Sequence, residues 1–138
     1  MKDDIRLGGH DLFDRDCPGR AILDHVSARW ATLVLTALRN GPLRFYQLRD
    51  KIGGISEKML AQNLRVLARD GLIERTVEPT TPPQVSYELT ALGHGLTDAY
   101  RQLVDWIGEH APQIFAAQQK HDELAQRSPS VKPARQLG

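Results

Sequence analysis

Apolar positions recur with helical spacing through most of the chain. Leu60, Leu64 and Leu67 follow one another at steps of four and three, which sets them along one side of a helix that must be buried. Ser56 ahead of them offers a hydroxyl for an unpaired N–H of the first turn, and Gly71 after Asp70 suits the left-handed residue that ends many helices. The spacing therefore predicts a helix over 57–70. Lys58, Gln62, Arg65 and Arg69 keep the same rhythm on a different side of it. Upstream, Trp30, Leu33, Val34, Ala37 and Leu38 predict a helix over 28–39 that Gly41-Pro42 stops. Pro18 suits the first turn of a shorter helix over 18–25, with Cys17 beside its N-cap. Phe45, Leu48 and Ile52 mark the inward side of a helix over 45–51, joined to the next by a Gly53-Gly54 turn.

After Gly71 the period changes. Residues 73–77 and 85–89 alternate in steps of two and read as strands, and Pro79, Pro82 and Pro83 keep the loop between them from pairing. Thr90 then caps a helix to about His110, in which Leu92, Leu96, Ala99, Leu103 and Ile107 hold a four-three-four-four rhythm that Tyr100 and Trp106 broaden. A final helix with Ile114, Phe115 and Leu124 is expected after Pro112. Residues 1–16, with scattered Ile5, Leu7, Leu12 and Phe13, read as an arm without a sustained period. The organisation is thus an N-terminal arm (1–16), a domain with its long helix (17–110), a C-terminal helix (111–127) and a disordered tail rich in Ser, Pro, Lys, Gln and Gly (128–138).

Two helices across a Gly-Gly turn followed by a β-hairpin are the winged helix-turn-helix plan. The expected class is mainly α with a small β-hairpin, a winged helix-turn-helix with added N- and C-terminal dimerisation helices. A small three-helix core cannot cover the long apolar stripe, so Leu92, Leu96, Ala99, Leu103, Trp106 and Ile107 are expected to meet the same helix of a second copy. A homodimer would set two reading helices about 34 Å apart, one duplex turn, and so suit a pseudo-palindromic operator in double-stranded DNA.

Charge agrees with that partner without deciding it. The stretch 44–75 holds seven basic residues (Arg44, Arg49, Lys51, Lys58, Arg65, Arg69, Arg75) against four acidic ones (Asp50, Glu57, Asp70, Glu74), within a 138-residue chain of net charge +1. Ser56 and Lys58 stand at the end of the helix that usually enters a major groove, and Gln62 and Arg65 have the paired donors that read base edges. Trp30 reads as core, with a ligand role as its alternative.

The remaining composition excludes other classes. No apolar run approaches the roughly 20 residues that span a bilayer, and the opening MKDD lacks the cationic start of a signal peptide, so a cytoplasmic location and no membrane partner are expected. Cys17 is the sole cysteine, which rules out an internal disulfide. The five histidines (His10, His25, His94, His110, His121) are too widely spaced to form a ligand motif, and neither Gly53-Gly54 nor Gly93 and Gly95 sit in a phosphate-binding pattern. No enzymatic activity, metal or cofactor is expected.

From Cys17 to His110 the chain resembles the HxlR-type branch of winged-helix regulators, close to the MarR group. The resemblance rests on a Cys-Pro start, a Trp in the second helix, Gly-Pro followed by Arg-Phe and Leu-Arg, Gly-Ile-Ser before the reading helix, Asp-Gly-Leu-Ile after it and Pro-Pro ahead of the second wing strand. It implies a dimeric transcriptional repressor with DNA contacts from Arg44, Ser56, Lys58, Met59, Gln62, Asn63, Arg65 and Arg69 and, in the wing, Arg75 and Gln84. Where relatives commonly carry a basic residue after the wing prolines this chain has Gln84, with Glu78 on the other side, which implies a weak grip by the wing. Cys17 matches the position at which some members sense oxidants or electrophiles. A thiolate there is favoured by the helix N-terminus and by Arg15 and Arg20, and opposed by Asp14 and Asp16. A structural capping role for Cys17, control by a small molecule bound near Trp30 and Trp106, and a protein-binding adaptor are the alternatives.

Overall fold

The computed structural model describes residues 5–127; the tail expected over 128–138 lies outside them. The chain forms two compact units, Met1–Tyr100 and Arg101–Gly138. In the first, β1 (Arg6–Leu7) and β2 (His10–Asp11) are followed by α1 (Pro18–Ser27), α2 (Arg29–Ala37) and a 3-10 turn over Leu38–Asn40. Then come β3 (Leu43–Arg44), α3 (Phe45–Lys51), α4 (Glu57–Arg69), β4 (Ile73–Glu78) and β5 (Gln84–Leu89). A last helix, α5, spans Ala91–Arg127, starting in the first unit and supplying the second.

The core forms where α2 crosses α4. Val34, Leu35 and Leu38 meet Leu48 of α3 and Leu60, Leu64 and Leu67 of α4, all of them fully or almost fully buried. Each such side chain contributes about 1.5 to 3 kcal/mol of apolar burial, which holds α4 at one rotation about its axis. The wing closes the core from the side: β5 lies between β3 and β4, both antiparallel to it, and Ile73 pairs with Leu89 so that both point inward. Tyr100, the last residue of the unit, is buried and donates its hydroxyl to the Val26 carbonyl at the end of α1. Burial pushes its phenol up from the usual tyrosine range, against a smaller opposite effect of Thr32, and keeps it the donor.

Three expectations change. Residues 6–11 are not an irregular arm: Gly8 and Gly9, with φ of 60° and 83°, make a two-residue turn that pairs Arg6 with Asp11 and Leu7 with His10. A third wing strand, β3, joins the hairpin through Leu43 and Arg44. The long helix does not stop near His110 but runs through Pro112 to Arg127. Proline removes one N–H and crowds the carbonyl four residues back, which here belongs to Gly108, and the helix formers on both sides carry the helix past that local loss. Among the described residues no helix is long and apolar enough to cross a membrane.

Gly93 and Gly95 of α5 answer to different constraints. A Cβ on Gly93 would stand 2.1 Å from the Leu72 carbonyl oxygen, whereas one on Gly95 would meet nothing within 4 Å. Gly93→Ala is therefore expected to lower stability by about 2 kcal/mol, through displacement of backbone. Gly95→Ala should raise it by roughly 0.5 to 1 kcal/mol, through helix propensity. Urea denaturation of the two variants checks the pair.

Candidate nucleic-acid interface

The helix-turn-helix is assembled from short-range bonds. The Arg44 amide donates to the Gln47 side-chain oxygen at 2.8 Å, which starts α3, and the Ile52 amide closes it on the Leu48 carbonyl. Ile52 and Ile55 are buried on either side of Gly53-Gly54, so the turn is anchored by its flanks. The far edge of the Trp30 ring reaches the same turn, 3.8 Å from the position of a Cβ on Gly54. Trp30 thus packs against the core, half-buried, as the sequence suggests. Ser56 caps α4, its hydroxyl accepting the Met59 amide at 3.1 Å. At the other end Gly71 takes a φ of 76°, and the Thr90 hydroxyl donates to its carbonyl at 2.7 Å.

Rotation of α4 then fixes what faces outward. Successive residues turn by about 100°, so Lys58, Gln62, Arg65 and Arg69 fall within roughly 60° of arc opposite the buried leucines. All four are exposed, and among the described residues no ion pair engages Lys58, Arg65 or Arg69. They form an open strip of three cations and an amide, which is chemistry suited to phosphates and base edges.

Met59 and Asn63 lie on the flank of that strip. With Gln62 they line a cleft of about 230 Å³ whose opposite wall includes Asp24, His25, Trp30 and Ala31. Asn63 is half-buried and its amide donates back to the Met59 carbonyl at 2.8 Å, four residues earlier, so one of its donors is already used within the helix.

The wing divides the remaining candidates between its two faces. Directly opposed residues of antiparallel strands share a face. Arg75, opposite Tyr87, lies with Leu43, Val77 and Val85 on the face that turns to the core, at its exposed margin. Arg44, opposite Ser86, lies on the outer face with Gln84, and the Arg44 guanidinium donates to the Gln84 side-chain oxygen. Glu74, Glu78 and Glu88 share this outer face, with Glu74 opposite Glu88. The outer face of the wing is therefore acidic apart from Arg44.

Cys17 occupies the N-cap position of α1 without making a cap bond. It is 4% exposed, and its Sγ donates to the Leu7 carbonyl at 3.4 Å. Gly19 makes room for this arrangement, since a Cβ there would stand 2.3 Å from the Leu7 Cβ.

Among the described residues three ion pairs join different elements and carry no local signal: one between Arg39 of the 3-10 turn and Asp98 of α5, 3.1 Å apart, and two at the ends of α4. His25 Nδ1 and Asp70 Oδ2, 2.9 Å apart, tie the end of α1 to the end of α4. Arg49 of α3 bonds Glu57, the first residue of α4, at 2.7 Å. Of the residues expected at a subunit interface, Leu92 and Ala99 are exposed and Leu96 is half-buried against the core. In the second unit Leu103, Trp106 and Ile107 are all exposed.

The model of the HxlR-like helix-turn-helix family matches residues 25–115. The HTH-type transcriptional regulator YtfH of Escherichia coli is 48% identical over 106 residues, covering 77% of this chain and 84% of that relative. The solved transcriptional regulator ytfH from Salmonella typhimurium, 48% identical, superposes with a TM-score of 0.74 over 79% of this chain and 97% of that one. The redox regulator HypR in its oxidised form, 31% identical, gives a TM-score of 0.62 over 67% of this chain and 96% of its own.

The cap of α4 gives a direct check on the site's construction. Ser56→Ala should cost about 1 kcal/mol of stability, because the Met59 amide loses its acceptor, while Ser56→Asp should retain most of it. Thermal or urea melting of the two variants measures the difference.

Proposed function

Because the chain belongs to the HxlR-like helix-turn-helix family, and so to the DNA-binding transcriptional regulators rather than to enzymes, we propose that it works as a homodimeric repressor. In this reading it binds a pseudo-palindromic operator through the outer strip of α4 and loses its grip when Cys17 is oxidised or alkylated. The observation that carries the DNA contact is the alignment of Lys58, Gln62, Arg65 and Arg69 opposite Leu60, Leu64 and Leu67, with the three cations outside any described ion pair. Gln62 and Arg65 read bases, Lys58 and Arg69 meet phosphates, and Ser56 and Met59 line the entering end. Asn63 and the wing residues Arg44, Arg75 and Gln84 contribute less, since Asn63 is half-buried, the outer wing face that carries Arg44 and Gln84 is acidic, and Arg75 lies on the opposite face.

A second copy is favoured by the apolar side chains of α5. In the second unit Leu103, Val104, Trp106 and Ile107 are between 46% and 54% exposed and Phe115 is 64% exposed. A lone helix carrying them has no core of its own, and an isologous contact removes them from water. Redox control draws on the position of Cys17 and on the likeness to the redox regulator HypR. With one cysteine per chain, a reversible oxidised form joins two thiols, either from two subunits or from Cys17 and a small thiol, as they give up two electrons and two protons to the oxidant.

A second reading, control by a small molecule, is favoured by an apolar groove of about 530 Å³ between α1 and the start of α5, lined by Ile22, Val26, Leu72, Leu92 and Leu96. Neither tryptophan lines it; Trp30 stands instead beside the cleft next to α4.

Gel shifts on DNA flanking the protein's own gene test the proposal. Arg65→Ala should weaken specific binding by about 1 to 3 kcal/mol. Diamide should release wild-type protein and leave Cys17→Ser bound. Unchanged affinity and sequence preference in Lys58→Ala, Gln62→Ala and Arg65→Ala together would rule out the strip, and an equal diamide response in both proteins would remove Cys17 from the mechanism.

A further inference from the structure

Glu57 is the first residue of α4, at the end which, in the reading above, enters the groove. A bare carboxylate beside a duplex repels its phosphates and competes with them for Lys58. It is not bare: Arg49 Nη1 donates to Glu57 Oε1 at 2.7 Å. The same guanidinium donates through Nε and Nη2 to Asp50 Oδ1, at 3.2 and 3.1 Å, and its carbon lies 4.7 Å from the centre of the Tyr46 ring. Tyr46 in turn meets the Phe45 ring edge to face at 5.4 Å, and Phe45 packs on the core. The hydrogen bond to Glu57, and after it the one to Asp50, raises the pKa of an Arg49 guanidinium that is cationic at any working pH in any case.

A stability role does not account for this arrangement. The Arg49 and Glu57 side chains are 36% and 58% exposed, and ion pairs in water add little to folding. Nor is Arg49 a spare cation for phosphate: two carboxylates and a ring already hold its fork, and the three charged side chains together are net negative.

We infer that Arg49 is a positioning residue for DNA binding that acts through Glu57, screening this carboxylate and holding it away from the end of α4 that meets the duplex. The inference rests on the reading of the α4 strip. It accounts for a glutamate at the mouth of a DNA-reading helix and predicts that Arg49 and Glu57 are energetically coupled in binding although neither needs to touch DNA.

The test is a double-mutant cycle on the full chain, with binding to a labelled duplex, selected by the wild-type protein from a randomised library, measured by fluorescence anisotropy across a salt series. Arg49→Gln should weaken binding by about tenfold, because a carboxylate is released beside the phosphates. The slope of log affinity on log salt should change by less than the roughly 0.9 that one lost phosphate contact removes. Glu57→Gln should bind about two- to fivefold tighter at low salt. The double variant should return to within about threefold of wild type, a rescue that misfolding of Arg49→Gln could not give. Wild-type affinity in Arg49→Gln, weaker binding by Glu57→Gln, or a full unit lost from the salt slope without rescue would each overturn the inference, the last by making Arg49 a direct phosphate contact. A wild-type protein that selects no duplex would overturn the reading beneath it as well.

Discussion

Burial of Leu60, Leu64 and Leu67 against α2 is the constraint on which the rest of the molecule depends. A helix is free to turn about its own axis until something chooses a side, and these three leucines choose it by facing Val34, Leu35 and Leu38. Once that rotation is set, the direction of every other α4 side chain follows from helical geometry alone. The outer strip exists because the leucines are inside. Burial that ranks among the larger stabilising terms of a small domain is therefore also the device that aims the polar groups.

The same constraint limits how the domain can transmit change. Both ends of α4 are tied locally: Ser56 caps the start, and Asp70, bonded to His25, holds the finish. Because His25 belongs to α1, any movement of α1 relative to the domain acts on the end of α4. Rotation of α4 about its own axis is opposed by the core.

Much of this was legible in the sequence, and the reasons are local. The bounds of α4 follow from Ser56, Gly71 and the leucine period, and those of α3 from Phe45, Leu48 and Ile52 ahead of Gly53-Gly54, all within a few residues of the ends they define. The wing strands were readable from alternation, short by one residue at the ends nearest the loop. What sequence pattern missed is short or non-local. Two paired residues on each side of Gly8-Gly9 and the two of β3 are too few to show a period. Arg49 and Glu57 are eight residues apart across a turn, and His25 and Asp70 are 45 apart, so their pairing depends on angles between helices that no spacing encodes. Asn63 did carry a signal: an amide four residues after Met59 in mid-helix is placed to bond its carbonyl. The expected break before Pro112 overweighted one lost hydrogen bond within a helix of 37 residues.

The small hairpin over Cys17 has a kinetic consequence. Its sulfur is almost fully buried and donates to the Leu7 carbonyl, and Leu7 is held by a short hairpin of two paired residues on each side of the turn and the Leu12 amide bond to the Ile5 carbonyl. A thiol buried to this degree meets a reagent through local opening of what covers it. The rate of any chemistry at the sulfur is then the intrinsic reactivity scaled by a local opening equilibrium, and the timing of the thiol is written in Leu7 and Gly19 as much as in the cysteine itself.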